Sequence, residues 1–365
     1  MVKKALFKAY TLMLKKKYSM KPQGARLLAS SFLKDYQLHR GSTAEILHAH
    51  RRGFGINDWK LLELTDDNYR DFLSDGCYYA RHPYNGDYSK WIDDKLTLKY
   101  LCNSPELKHI MPEYYCQIDS YGNVLLLMDF PKTIRENGGS AIASLLRNKK
   151  LLALKRISGS IGAGFYKTEY RDDTYYLNGK AYTLQDFLSQ MAELKDYILT
   201  EYLKPHAELA LYCPDTCNTI RYLVKSVDGK AEMLKSFIRF GTKKSGFVEN
   251  YNTGGVLCYI KKDGTFDGGN TIDFEQLKNN IITHHPDTKK ELKGIIPHWD
   301  DITRICNDFC RHFPQLKYCG FDFVITDHDE VKMLEINSLT SLDSLQMDCP
   351  VFRSETRELF KALLS

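Results

Sequence analysis

CGFDFVITDHDEVKMLEINS, residues Cys319–Ser338, is the stretch whose reading decides the fold. Polar and apolar residues alternate on both sides of Asp327, His328, Asp329 and Glu330, the period of two that sends successive side chains to opposite faces of a strand. A β-hairpin turning symmetrically about that polar stretch sets Asp322 opposite Glu335 and Val324 opposite Met333. Asp322, Glu335 and Asn337 then share one face, while Phe321, Phe323, Leu334 and Ile336 share the other and enter a core. The turn lacks an Asn-Gly or Asp-Gly pair, so the register rests on the alternation alone. Two carboxylates directly opposite, roughly 5 Å apart at Cβ, repel unless something positive lies between them. Two carboxylates and an amide are oxygen ligands suited to Mg2+, with Mn2+ as the alternative, and water and substrate phosphates complete the shell. The competing reading is a strand face whose acids are merely solvated.

The chain has 365 residues, 43% of them hydrophobic, enough for a substantial core in two or three packed subdomains. A net charge of +5, from 51 basic and 46 acidic residues, is too balanced for nucleic-acid binding as the main activity. Ten cysteines without a CxxC pair or zinc-finger spacing point to a reducing, cytoplasmic compartment. The four-residue spacings Cys213–Cys217 and Cys306–Cys310 read as small buried residues. No apolar run approaches the roughly 20 residues that span a bilayer. The N-terminal MVKKALFKAYTLMLKKKYSMK is interrupted by Lys8 and followed by Lys15 to Lys17, a poor signal peptide. It reads as a basic amphipathic helix for the inner membrane surface or a glycan-assembly partner, or else as a solvated helix.

Residues 1–80 carry a mostly helical pattern, broken near residues 38–44 and 51–55. A helix over residues 93–101 opens on acidic residues, as a helix N-terminus prefers. Short strands follow near residues 114–118 and 124–128, then a helix near 140–147. LLALKRISGSIGAGFYKTEY, residues 151–170, reads as strand, glycine-rich loop, strand. Then come a polar hairpin near residues 177–180, a helix after Leu184 and an apolar strand over residues 196–203. Asp228-Gly229 marks a two-residue hairpin turn. Residues 241–297 read as loop-rich, residues 300–312 as a helix, and residues 353–364 as a closing helix. Helices first and hairpins later make an α+β pattern, not a βαβ repeat.

Ser158, Gly159, Ser160, Ile161, Gly162, Ala163 and Gly164 form a glycine loop after Lys155. Glycines let backbone N–H groups approach phosphate oxygens, and lysine supplies charge. Alone this is weak, because it matches neither GxxxxGK[ST] nor a strand-to-helix GxGxxG. The order Lys95, Lys155 with its loop, Glu201-Tyr202-Leu203, then Asp322, Glu335 and Asn337 is far more specific. With LKRISGSIGAGFYK, ILTEYLKPHAEL, CNTIRYL, FIRFGT, VENYNTGGV, HHPDTKKELKGIIPHW and GFDFVITDHDEVKMLEIN, the chain resembles the ATP-grasp superfamily over roughly residues 90–346. It is most similar to the sugar-transfer and polysaccharide-associated branch, related to glutamate ligases.

That resemblance implies an α+β ATP-grasp fold, two subdomains clasping ATP. A helical region, 1–80, precedes the catalytic region 81–350. The latter divides into a nucleotide-clasping part, about 150–205, and a metal-binding part, about 206–350; residues 351–365 close the chain. By the resemblance Lys95 and Lys155 hold ATP phosphates under Ser158, Gly159, Ser160 and Gly162. Tyr202 and Leu203 meet adenine after Glu201, and Glu208 meets the ribose. Asp322 and Glu335 bind one Mg2+, and Glu335 and Asn337 bind a second. Arg239, Arg221 and Asn218 serve the transferring phosphoryl group. His206, Asn252, Gly254, Gly255 and His285 are expected at the acceptor.

Three features depart from the pattern. Arg156 stands where proline is common, and SLTSLDSLQ after Asn337 lacks the usual Pro-Gly. A strict turn at Asp228-Gly229 pairs Asn218 with Arg239 and turns Arg221 to the opposite face, so both arginines reach one substrate only across a bulge. His284, His285 and His298 fit no compact zinc spacing and read as solvated or acceptor-contacting. The implied reaction activates a carboxylate with ATP and joins it to an amine, the acid being a uronic acid or another surface-glycan carboxylate. The competing readings are a kinase acting on a hydroxyl and a non-catalytic nucleotide-binding scaffold.

Overall fold

The computed structural model describes residues 2–38, 40–159, 164–246, 249 and 251–365. Helices Val2–Tyr18, Pro22–Gln37, Thr43–Arg52, Ile56–Leu61 and Asp75–Ala80 come first. A capping box formed by Ser42 and Glu45 starts the third, and Gly53 ends it in the left-handed conformation at φ 92°, so the break in the sequence pattern is a helix stop. Helices Ser89–Asp93 and Lys95–Leu101 then lead into two sheets.

The first sheet contains β1 (Tyr114–Ile118), β2 (Val124–Leu126), β3 (Leu151–Arg156), β4 (Tyr166–Arg171), β5 (Thr174–Leu177), β6 (Lys180–Tyr182) and β7 (Tyr197–Glu201), in the order β2-β1-β7-β3-β4-β5-β6. Leu152, Leu154 and Leu199 pack with Ile142, Leu145, Leu146, Phe187 and Met191 from helices Gly138–Lys149 and Leu184–Glu193. Alternation therefore turns Ala153 and Lys155 to the other face.

The second sheet uses β8 (Ile220–Val227), β9 (Lys230–Phe240), β10 (Val256–Tyr259), β12 (Gly269–Asp273), β13 (Lys278–Ile282), β15 (Tyr318–Ile325) and β16 (Val331–Asn337), in the order β13-β12-β10-β9-β8-β15-β16. A separate pair joins β11 (Thr265–Asp267) to β14 (Lys293–Ile295). The stretch 241–297, read as loop-rich, thus holds five short strands. Their polar residues and frequent glycines hide the alternation. One face of the second sheet packs Ile220, Tyr222, Phe321 and Phe323 on helix Trp299–His312. The opposite face packs Leu223, Phe237, Leu257 and Tyr318 under Phe54, Leu61, Leu73 and the C-terminal Phe360. The N-terminal helices therefore continue the core of this sheet.

Two bulges set the register. Asp322 does face Glu335, but Phe323 pairs with Met333 and Val324 with Lys332. The extra residue is Leu334. Met333 is fully buried in the core, whereas Leu334 faces the cavity beside Glu335, which corrects both the Val324–Met333 pairing and the core assignment of Leu334. In the other hairpin Asp228 and Gly229 take φ 50° and 77°, as a type I′ turn requires. A bulge at Leu234 then shifts the register, so that Leu223 pairs with Lys235 but Val224 with Met233. This is the irregularity that lets Arg221 and Arg239 share a face.

Candidate active site

The two sheets face one another across a cavity of about 460 Å³, within the range of small-molecule sites. Ala153 and Lys155 line it from the first sheet, and Arg221, Arg239, Asp322, Glu335 and Asn337 from the second. Glu201, Tyr202 and Leu203 lie where the chain leaves β7. With Ala153, Phe165 and Leu334 they give this end an apolar slot bordered by backbone.

Asp322 and Glu335 are both paired with cations that line the cavity. Asp322, 3% exposed, accepts from Arg221 Nε at Oδ1 (2.5 Å) and from Arg221 Nη2 at Oδ2 (3.0 Å), and Arg239 Nη2 lies 3.1 Å from the same Oδ2. Burial alone pushes a carboxyl up, but the two guanidinium groups override it and hold Asp322 at about 2. Arg239 also donates to Thr219 Oγ1 at 2.6 Å, and its buried Nε has no partner among the described residues. Lys95 Nζ lies 2.6 Å from Glu335 Oε2 and 3.3 Å from the Gly159 carbonyl, tying the helix start and the glycine loop to β16. Ser158 Oγ donates to Asp94 at 3.2 Å from the same loop. Lys155 forms no ion pair among the described residues. Burial, reinforced by Lys95, lowers its ammonium to about 8. A cation held this way is stabilised by an incoming anion.

Asp322, Glu335 and Asn337 supply two carboxylates and an amide. Asn337 Nδ2 donates to Glu335 Oε1 at 3.3 Å, which leaves the amide oxygen available. Among the described residues no three His, Cys, Asp or Glu side chains cluster as a metal cage. This donor set fits a hard ion that shares its shell with water and phosphate, not a closed protein site.

Other expected site residues stand elsewhere. Asn218 is fully buried and outside the cavity wall. It donates to the carbonyls of Leu209 and Cys213 at 3.1 and 2.8 Å and accepts from Thr216. At φ 51° it locks the entry to β8. Asn218→Gly keeps that backbone and removes the side chain. The expected result is a loss of roughly 1–3 kcal/mol in a urea titration, with ATP binding by the folded protein retained. Glu208 is exposed on the short helix Ala207–Ala210, and His206 caps that helix and contacts Asp329 at 3.2 Å. Neither lines the cavity. His285 is also outside it and buried, which corrects its reading as solvated or acceptor-contacting. Its Nε2 donates to the Gly241 carbonyl at 2.9 Å while Nδ1 accepts from Asp287 N and Thr288 N. Of the acceptor set Asn252 lines the cavity and Gly254 and Gly255 do not. Ser160 and Gly162 lie outside the described residues.

Several cavity residues were not anticipated. Tyr79 comes from the N-terminal helices, Cys217 from the approach to β8, and Glu249, Tyr251, Ser341 and Ser344 from loops. Asp343 accepts from Tyr251 and Ser341 at 3.2 and 2.5 Å, ordering that wall. The loop after Asn337 is fastened without Pro-Gly. Ser338 bonds Asp93, Thr340 bonds Tyr78 and Arg221, and Gln346 bonds Leu73 through both backbone groups. Burial raises the Cys217 thiol to about 12, which disfavours its thiolate. No local pattern marks these residues in the sequence, because they meet only through contacts between distant segments.

Two antiparallel sheets enclosing a cavity that gathers lysines, arginines and two facing acids form an ATP-grasp fold. The chain belongs to the sugar-transfer associated ATP-grasp family, whose model matches residues 77–358. Solved structures to which the chain is similar include the ATP-grasp ligase PsnB complexed with minimal precursor, Mg and ADP. It is 12% identical, with 77% of this chain and 61% of that one covered and a TM-score of 0.42. Another is D-alanyl-alanine synthetase A from Vibrio cholerae, 9% identical, covering 75% and 64%, with a TM-score of 0.39. The L-amino acid ligase from Bacillus licheniformis is 7% identical, covering 70% and 42%, with a TM-score of 0.37. The chain spans about three fifths of the length of PsnB. No curated protein sequence matches it.

Proposed function

We propose that the protein is an ATP-dependent carboxylate–amine ligase that forms an amide through an acyl phosphate. The observation carrying this reading is the set Lys155, Lys95, Arg221 and Arg239 facing Asp322, Glu335 and Asn337 in one cavity. Lys155 and Lys95 bind the phosphates of ATP, and the slot at Tyr202 and Leu203 receives adenine. Asp322, Glu335 and Asn337 would hold Mg2+, with two ions sharing Glu335. When bound, Mg2+ neutralises phosphate charge and favours in-line transfer.

A carboxylate oxygen of the acid attacks the γ-phosphorus, and ADP departs with the electrons of the broken P–O bond. An amine nitrogen then attacks the acyl carbon, phosphate departs with the electrons of the C–O bond, and the nitrogen loses a proton. Arg239 and Arg221 stabilise the charge that gathers at phosphorus and on the acyl oxygen. Both are already aimed at one point by Asp322. Nucleotide binding therefore exchanges partners, the phosphates taking the cations that Asp322 and Glu335 now hold. In this reading the acid is a surface-glycan carboxylate or sugar acid, in keeping with the family's association with sugar transfer, and the second substrate is an amino acid or other amine. Acceptor recognition falls to Asn252 and the wall of Tyr79, Tyr251 and Ser341.

The Lys155 ammonium makes the first step pH-dependent. Its cationic form is present below about 8 and lost above, so affinity for Mg·ATP is expected to fall about tenfold from pH 7 to pH 9. Calorimetric titration across that range checks this, and Lys155→Arg is expected to flatten the profile.

The function is tested by incubating the protein with Mg·ATP, pooled uronic and other sugar acids, and hydroxylamine, which traps an acyl phosphate as a hydroxamate. Hydroxamate with ADP is the expected result. ADP with a stable phosphoester identifies a kinase, AMP excludes both, and nucleotide binding with no turnover on any acid favours the scaffold.

A further inference from the structure

We infer that the outward face of the first two helices docks on an anionic lipid surface. Residues 1–44 contain ten basic residues and one acidic residue, Asp35. This stretch alone carries +9 against +5 for the whole chain and leaves the other residues at −4. Asp35 does not offset the surface charge, because it is buried and bound to His50 Nε2 at 2.9 Å and to Ile56 N at 2.8 Å.

Helix Val2–Tyr18 packs inward through Leu14, with Phe7, Tyr10 and Tyr18 against the same cluster, and helix Pro22–Gln37 through Ala25, Leu28, Ala29 and Phe32. Lys8, Leu12, Lys15 and Lys16 are all exposed. Their i, i+4, i+7 and i+8 spacing sets them in one stripe on the outer surface. Leu12 and Met13 are 57% and 52% exposed. On the second helix Arg26, Leu27 and Lys34 are exposed as well. Close packing fixes this pair in place. A Cβ on Gly24 would come within 2.0 Å of the Tyr79 carbonyl oxygen, and one on Gly76 within 2.5 Å of the Tyr18 ring.

Charge complementarity selects an anionic occupant, and large apolar side chains between the lysines select one with a hydrocarbon layer below its charges. A nucleic acid supplies phosphates but leaves Leu12 and Met13 in water. Tyr79, on the helix packed against the inner side of this pair, lines the cavity, so the pair joins the docking face to the cavity wall. The inference is independent of the reaction proposed above.

The test is sedimentation of the full-length protein with phosphatidylcholine vesicles, alone or with one third phosphatidylglycerol, at about 0.1 M salt. The expected result is binding only to the anionic vesicles, weakening as salt rises. Each lysine near such a surface contributes about fivefold, so the variant Lys8→Glu, Lys15→Glu, Lys16→Glu is expected to bind at least about 100-fold more weakly. All three side chains are exposed, and an unchanged melting temperature controls for folding. Leu12→Ser with Met13→Ser is expected to weaken vesicle binding while leaving binding to a DNA duplex unchanged. Equal binding to neutral vesicles, no vesicle binding, undiminished binding by the lysine variant, or tighter binding to the duplex than to anionic vesicles would each overturn the inference.

Discussion

Glu335→Gln is expected to lower ATP turnover by about 10²–10³ while leaving the fold intact. Glu335 is half-buried on β16, and its two oxygens meet different partners, Oε2 the Lys95 ammonium and Oε1 the Asn337 amide. In the proposed mechanism both metal ions depend on it, so loss of its charge removes a shared ligand while an isosteric amide fills the space. Lys95 then competes with no carboxylate for nucleotide phosphate. Binding of ATP without Mg2+ is accordingly expected to be retained or strengthened, while the gain in affinity that Mg2+ gives the wild type disappears. Full turnover in Glu335→Gln would remove the metal face from the mechanism.

Asp322→Ala is expected to damage stability as well as activity. It leaves Arg221, 8% exposed, and Arg239 facing each other with no carboxylate between them. Removing one partner from a buried ion pair costs about 3–5 kcal/mol, a loss to be read from the urea midpoint. Asp322→Leu combined with Arg221→Met is expected to regain much of that loss without regaining activity, separating the two roles. The pH dependence has a definite sign. Asp322 is depressed to about 2 from the ordinary 3.8, so its contribution is complete above pH 4 and lost as pH falls toward 2.

The facing of the two acids was legible because a strand with one buried side must alternate, and Asp322 opposite Glu335 survives in the structure. Leu334 shows where alternation fails. A bulge adds one residue to one strand and changes no residue type, so Leu334 reads as core while Met333 occupies it. The bulge at Leu234 acts in the opposite way, joining Arg221 and Arg239 at Asp322 where strict counting separates them. Asn218 was legible as a candidate and not in its placement, because its hydrogen bonds run to carbonyls of the short helix Ala207–Ala210 and of the loop that follows it. Tyr79 was invisible, since nothing local to DGCYYA tells a tyrosine in a helix core from one at a cavity wall.

Carboxylate activation is tested most directly by following oxygen. The acid identified by hydroxamate trapping is labelled with ¹⁸O in its carboxylate, turned over with Mg·ATP and the amine, and the released phosphate is examined by mass spectrometry. One labelled oxygen in each phosphate is the predicted result, because the carboxylate oxygen that attacks phosphorus leaves with it when the amide forms. Unlabelled phosphate, with both labelled oxygens still on the acid, would contradict it.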